Sequence, residues 1–354
     1  MNKIKIGKSI VSEKNKTYFI ADIASNHDGN LNKAKDLILL AKKAGADAAK
    51  FQNFSGETLI CDKAFRKLGG VSHQTEWKDG VFKGYDKVKV PLEWTSELKD
   101  FCDKIKIDYF TSPYALEYID YLDPYVVAWK IGSGDITWHD SIEKMAKKKK
   151  PIILATGASS LSEVKMAIKS IKKFNKNIVL MQCNTNYTGS KENFKYINLN
   201  VLKLYKKIFK NIILGLSDHT PGHSTVLGAI ALGARVIEKH FTNNNNGKGP
   251  DHKFSLNPKD WNEMVLRSRE LEQALGFEKK QVEKNEIETV IIQRRGIRVN
   301  KDIKKGFLIK KEDLSFLRPC TKECLLPYQY KKIIGKKLKR NLRKDDVVTL
   351  RDLQ

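Results

Sequence analysis

The 354-residue sequence predicts an α/β fold: a (β/α)8, or TIM, barrel followed by a small β-rich domain. Three observations carry this reading. Eight short β-branched or aromatic runs recur along the first 277 residues, helix-period stretches separate them, and each run ends in polar residues. Strands alternating with helices make parallel βαβ units, and eight such units close into a barrel.

The runs fall at 18–25, 48–54, 108–112, 128–132, 151–156, 177–184, 211–217 and 235–241. Between the first two, Ala34, Leu37, Ile38, Ala41 and Ala44 recur with the period of one helical face. Val164, Ala167, Ile168 and Ile171 do the same after the fifth run. Ala44-Gly45-Ala46-Asp47 and Leu232-Gly233-Ala234-Arg235 read as helix ends running into strands, because glycine takes the left-handed conformation that stops a helix. A helix around 258–275 closes the barrel. The domains are therefore expected at 1–277 (barrel), 278–288 (polar linker) and 289–354 (β-rich module). Within the last, residues 302–314 resemble residues 341–353, each a turn, a short strand and a small helical turn, which implies internal pseudo-symmetry.

The formal net charge of +25 invites a nucleic-acid reading. The lysines, however, spread over the faces of the expected helices (Lys42, Lys43, Lys147, Lys165, Lys169, Lys172, Lys206), and no arginine-rich block alternates with aromatics. A solvated lysine-rich surface is expected, tolerant of small anionic substrates, with no nucleic-acid partner. No apolar run approaches the ~20 residues of a membrane span. The N-terminus lacks the apolar segment of a secretory signal, and the five cysteines are scattered, so a reduced, cytoplasmic setting is expected. Cys320 and Cys324 have no second pair and make a poor zinc site. No dinucleotide or P-loop glycine pattern occurs.

A barrel gathers its strand C-termini on one face, where the chemistry sits. Two late strands end in histidine, at Ser217-Asp218-His219 and Glu238-Lys239-His240. Two imidazoles holding one metal leave positions for water and a substrate oxygen; the competing reading is a buried structural pair. Lys50 and Lys130 would put cations in the mouth, with Gln52, Ser133, Thr156 and Ser217 as neutral partners, a set suited to phosphate and carboxylate. The alternative for the lysines is an ion pair with Asp22 or Glu238, and a Schiff-base role for Lys130 or Lys239 is a third reading. Asp22 either orients water or pairs with Lys50. Asn26 and His27 bind hydroxyls or shape a turn, Tyr187 contacts ligand or packs, and His223 and His252 stand second to the two chosen histidines.

Taken in order, 21–29 (Ala-Asp-Ile-Ala-Ser-Asn-His-Asp-Gly), Lys50-Phe51-Gln52, Lys130-Ile131-Gly132-Ser133-Gly134, Cys183-Asn184-Thr185-Asn186-Tyr187, Ser217-Asp218-His219, Glu238-Lys239-His240-Phe241 and Gly249-Pro250-Asp251-His252 resemble the sialic acid synthase family. The resemblance covers nearly the whole chain, and the tail resembles that family's antifreeze-like (SAF) domain. It implies condensation of phosphoenolpyruvate with an N-acetylated amino-sugar aldehyde, giving a nonulosonic acid and phosphate. It implies a divalent metal, Mn2+ or Mg2+, on His219 and His240. Lys50, Gln52, Lys130, Ser133 and Ser217 match phosphoenolpyruvate-binding positions. Asn184 belongs to a matching motif and joins the substrate-binding set; Tyr187, Glu238 and Asp251 match positions around the sugar and metal. Asp22 matches a catalytic carboxylate. A homodimer is implied in which each SAF domain covers the partner's barrel, bringing Arg318 to the sugar's N-acyl group.

Three departures stand out. Asp22 occupies a position usually held by glutamate, Ala155 replaces a common phosphate-binding serine, and Arg318-Pro319 continues as Cys320-Thr321. N-acetylmannosamine is the default acceptor. The alternatives are a 6-deoxy diamino sugar leading to legionaminic or pseudaminic acid, or a barrel that binds carbohydrate without catalysis.

Overall fold

A computed structural model describes residues 2–68 and 80–354. The chain divides into two compact units, Met1–Gly276 and Phe277–Gln354, so the 278–288 segment falls within the second.

The first unit opens with a hairpin, β1 (Lys3–Ile6) and β2 (Ser9–Ser12), joined through a turn with Gly7 at φ +54°. Its Ile4, Ile6 and Val11 join the main core. The sequence reading did not place this hairpin. Eight parallel strands then form a closed barrel: β3 (Tyr18–Asp22), β4 (Ala48–Asn53), β5 (Asp108–Pro113), β6 (Trp129–Ile131), β7 (Ile152–Ala155), β8 (Ile178–Cys183), β9 (Ile213–Asp218) and β10 (Ala234–His240). β10 pairs with β3 and closes the ring. Each of the eight predicted runs coincides with one of these strands, with β5, β9 and β10 reaching one residue beyond the run.

Barrel strands are covered on both sides, by helices outside and by layered side chains within, which explains near-continuous apolar runs rather than alternation. Every residue of β3, β6, β7, β8 and β9 is buried. At Gly215 on β9 a Cβ would stand 2.7 Å from the Val236 carbonyl oxygen and 3.0 Å from Met181 Cγ. This close approach falls where the β9–β10 register shifts between Ala234 and Val236, and only glycine lets the strands meet there.

The outer helices follow their predicted faces. In Leu31–Lys43, capped by Asn30, the buried positions are Ala34, Leu37, Ile38 and Ala41. In Leu161–Lys172, Ser160 and Glu163 form a reciprocal cap, and Val164, Ala167, Ile168 and Ile171 are buried. Gly45 and Gly233, the expected helix ends, adopt φ +95° and +100°. Pro258–Leu275 packs Trp261, Met264 and Val265 into the core. After β4 the chain leaves the simple repeat: Gly56–Leu59, Asp62–Leu68 and Gly80–Lys87 are short helices at the C-terminal side of the strand.

The second unit has its own core, including Ile297, Val299, Ile303, Ile309, Leu338, Leu342 and Val348. Antiparallel β11 (Gly296–Val299) and β12 (Leu314–Leu317) are its longest pairing. The predicted repeat is visible in matched detail. Asp313 accepts from the Lys310 backbone N–H at 3.0 Å and Asp352 from that of Thr349 at 2.9 Å, each over a one-turn helix. Ile303 and Leu342, equivalent positions of the two copies, bridge each other. A short helix, Ile287–Gln293, precedes β11. Among the described residues no helix is long and apolar enough to cross a membrane.

Candidate active site

The C-terminal ends of the barrel strands meet at one small cavity of about 40 Å³. Ten of the residues singled out in the sequence line it: Asp22, Lys50, Gln52, Lys130, Ser133, Tyr187, Ser217, His219, Glu238 and His240. Strand alternation explains the selection. On β10, Glu238 and His240 face the interior while Lys239 between them faces the helix layer. There Lys239, 1% exposed, meets its register partner Asp218 at 2.5 Å and donates to the Thr220 carbonyl. Asp218 also accepts from Thr225 Oγ1 on the helix Ser224–Ala231. Lys239 is therefore a structural cation, and its Schiff-base reading is set aside.

The cavity floor is a buried charge lattice. Lys50 Nζ lies 2.7 Å from Asp22 Oδ2 and 4.0 Å from Glu238 Oε2, while Lys130 Nζ lies 3.3 Å from Glu238 Oε1. Gln52 donates to Asp22 at 3.2 Å and Ser217 to Glu238 at 3.2 Å. Burial alone would lower the Lys50 pKa, but Asp22 and Glu238 outweigh it and hold the ammonium above its usual range. Two cations against two carboxylates leave the lattice near neutrality. The ion pairs bear out the first reading of Lys50 and Lys130 and do not conflict with the anion-binding one. Ser133 Oγ accepts from the Gly157 N–H at 2.8 Å, which fixes it at the rim.

The two imidazoles converge, with ring centroids 5.3 Å apart. His219 Nδ1 bonds the Asn184 carbonyl at 2.8 Å, a backbone contact that orients the ring, which also meets the Cys183 thiol. His240 Nδ1 is buried without a hydrogen-bond partner, and its Nε2 lies 3.5 Å from Asp22 Oδ2. Burial, then the charges of His219 and Lys50, hold the His240 pKa well below the usual imidazole value, so it presents a neutral lone pair. Among the described residues no group of three or more His, Cys, Asp or Glu side chains is placed to hold a metal ion. A two-imidazole donor pair with one ring pre-oriented and an orphaned nitrogen on the other fits an open divalent site. Tyr187 and Phe254 pack on both rings, with centroids 4.4 to 6.2 Å apart.

Asp251 lines an adjoining outer pocket with Gln52, Ser133, Tyr187 and His240. Its carboxylate accepts from the Ser25 N–H at 3.0 Å, and burial raises its pKa to about 6. The Asn184 side chain turns away from the cavity: it donates to the Tyr196 carbonyl and accepts from the Asn186 N–H. Its contribution to the site is the carbonyl that holds His219. Asn26 donates to the Phe241 carbonyl and Ser255 Oγ, and His27 is wholly buried, so both shape the loop. His252 is fixed between Thr242 and Asp28. Arg318 lies exposed in the second unit, beside the cis peptide to Pro319.

Three cavity residues had no role assigned from the sequence, although Cys183 opens one of the quoted motifs. Ser112 lines the floor with a buried hydroxyl that has no partner, and Cys183 and Tyr114 line the walls. Ser112 and Cys183 stand at strand ends, the signal by which the others were found. Ala155 is on the floor as expected, and neighbouring Thr156 does not supply the missing hydroxyl, since it donates to the Met181 carbonyl. The outer pocket's Leu59, Ile60, Phe65 and Tyr85 come from the segment after β4, where no motif marks them.

Residues 37–280 match the NeuB family and residues 294–354 the SAF domain. The chain is 35% identical to an N,N'-diacetyllegionaminic acid synthase of Campylobacter jejuni over 94% of its own length and 99% of the relative's. It is 34% identical to a pseudaminic acid synthase of the same species, over 96% and 97%. Among solved structures it resembles an N-acetylneuraminic acid synthetase from Leptospira borgpetersenii, crystallised with citrate, at a TM-score of 0.71 and 26% identity, covering 81% of this chain and 95% of that one. The closed parallel barrel, the strand-end lattice and these likenesses along nearly the full chain agree: the protein belongs to the NeuB family and carries a C-terminal SAF domain.

Proposed function

We propose that the protein is a synthase of the transferase class that condenses phosphoenolpyruvate with an N-acylated amino-sugar aldehyde, forming a nonulosonic acid and releasing phosphate. The observation that carries this is the pairing of an anion-binding floor (Lys50, Lys130, Ser112, Ser133 and Ser217) with two convergent imidazoles at the same strand ends. The lysines and hydroxyls hold the phosphate and carboxylate. The enol C3 attacks the sugar aldehyde carbon, water adds at C2, and the C2–O bond to phosphate breaks. His219 and His240 would hold the divalent metal, Mn2+ or Mg2+, whose chemistry is Lewis-acid polarisation of the aldehyde oxygen. Asp22, already accepting from Lys50 and Gln52, orients the water, one methylene shorter in reach than a glutamate. Asp251 and Tyr187 face the sugar. The reading includes a barrel at 1–277, a linker at 278–288 and a SAF domain at 289–354, a cytoplasmic homodimer, and Arg318 contacting the N-acyl group.

N-acetylmannosamine is one acceptor of this class. The near-full-length likeness to legionaminic and pseudaminic acid synthases supports a 6-deoxy diamino sugar equally. The test is phosphate release from phosphoenolpyruvate with Mn2+ or Mg2+ and each sugar in turn, with the product identified by mass. Release with at least one sugar is expected. Absence of release with every sugar rejects synthesis, and sugar binding independent of metal and phosphoenolpyruvate would favour a carbohydrate-binding barrel instead.

A further inference from the structure

Cys320 and Cys324 follow Arg318-Pro319, where the chain departs from the pattern it otherwise resembles, and neither lines the cavity or the outer pocket. Their sulfurs share one small space beside the start of β11. A Cβ on Gly296 would stand 2.8 Å from Cys324 Sγ and 3.5 Å from Cys320 Sγ, so glycine there leaves the room that both sulfurs occupy. The Cys324 N–H donates to the Thr321 carbonyl at 3.0 Å, a turn that folds the segment back on itself. The Cys320 thiol points into the same turn, 3.9 and 4.0 Å from the Thr321 and Cys324 carbonyl oxygens. Both ends of the segment are anchored: the Cys320 N–H donates to the Ile291 carbonyl at 2.9 Å, and the Leu325 carbonyl accepts from the Ile297 N–H at 2.9 Å. Cys320 is buried and Cys324 partly exposed. Burial raises the Cys320 pKa and the neighbouring Cys324 thiol adds to that, while the Arg294 and Arg298 charges oppose it.

We propose that Cys320 and Cys324 form a reversible dithiol–disulfide site that reacts with low-mass disulfides. Among the described residues no third His, Cys, Asp or Glu groups with them, which disfavours a metal at this place. Cys324, the more exposed thiol, gives up its proton and attacks one sulfur of the small disulfide, forming a mixed disulfide and releasing one small thiol. Cys320 then gives up its proton and attacks Cys324 Sγ, expelling the second small thiol. Two protein thiols are oxidised, and the small disulfide takes up the two electrons and two protons. The anchored turn already holds the sulfurs together, so the ring closes without moving the backbone far. In a reducing setting the pair stands as two thiols. Oxidation closes the ring directly after Arg318 and Pro319 and stiffens the segment leading from them to Leu325, a member of the second core. This chemistry is independent of the synthase reading.

The experiment treats the folded full-length protein with excess oxidised glutathione, blocks the remaining thiols with a maleimide, and maps the tryptic peptides by mass. Trypsin cuts after Lys322, between the two cysteines, so the fragments on either side stay joined only through sulfur. The wild type is expected to give the joined Cys320–Cys324 fragments, lighter by two hydrogens than the pair of reduced peptides, with the loss of both maleimide-reactive thiols. Dithiothreitol should restore both. Exposed Cys61, in the first unit, is the comparison thiol and should keep its glutathione. In Cys320→Ser the mixed disulfide should be trapped on Cys324, because the displacing thiol is gone. Wild-type fragments that separate, with both cysteines alkylated or each carrying its own glutathione, would overturn the proposal. So would a disulfide joining either of them to another cysteine instead.

Discussion

Replacing Lys50 by methionine separates the two tasks that one ammonium performs on the cavity floor. Lys50 is 2% exposed and stands between Asp22 and Glu238, themselves 3% and 5% exposed. Its removal leaves buried carboxylates short of a cation, a loss of about 3–5 kcal/mol when a buried pair is broken from one side. It also deletes a charge-assisted contact to the substrate anion, worth about 1.5–3 kcal/mol, which corresponds to roughly a 10- to 150-fold rise in the KM for phosphoenolpyruvate. The double variant Lys50→Met/Asp22→Asn removes the stranded charge and should recover most of the stability. It should not recover the KM. Denaturant unfolding and steady-state phosphate release, measured on the wild type and both variants, read the two effects independently. A folded Lys50→Met protein whose KM for phosphoenolpyruvate stays within about twofold of wild type would refute the anion-binding role and leave Lys50 as a barrel-closing ion pair only.

His219→Ala and His240→Ala should each abolish turnover and weaken Mn2+ binding measured by calorimetry; retention of both properties in either variant would refute a shared metal. Lys239→Met should destabilise the fold by about 3–5 kcal/mol by stranding Asp218, with the KM for phosphoenolpyruvate unaltered in the folded protein; a stable variant lacking turnover would instead place Lys239 in the chemistry. Asp251→Asn tests the carboxyl that burial raises to about 6. Because the folded pKa lies above the unfolded one, the group costs nothing below about pH 4 and opposes folding increasingly from pH 4 to above 6. With its partial exposure the penalty at pH 7.5 is about 1–2 kcal/mol, so the variant should gain that much stability relative to wild type between pH 4 and 7.5; a constant difference across that range would show that Asp251 carries no such strain.

Much of the site was readable because a barrel converts chain order into spatial order. Once the eight runs are recognised as parallel strands, residues at their C-terminal ends must share one rim, and Asp22, Lys50, Lys130, Ser217, Glu238 and His240 needed no further information to be placed together. Period-two alternation also separates Glu238 and His240 from Lys239 within a single tripeptide. The reading weakened wherever a side chain's direction depends on partners distant in sequence. Asn184 sits at a strand end like the others, yet its amide turns to Tyr196 and only its carbonyl serves His219. Asn26, His27 and His252 bear functional-looking groups that long-range contacts recruit into the loop framework.

The sequence by itself determined the barrel, the module with its internal repeat, and the set of charged strand-end residues, because periodicity and strand polarity are local properties that packing then obeys. Tertiary structure alone decided that two lysines and two carboxylates interlock into one buried lattice, that the His219 and His240 rings converge with one His240 nitrogen left without a partner, and that Leu59, Ile60 and Phe65 line the outer pocket. Those outcomes depend on side-chain directions and on irregular segments between strands, where neither hydrophobic period nor motif spacing constrains the geometry and only contacts between distant parts of the chain can fix it.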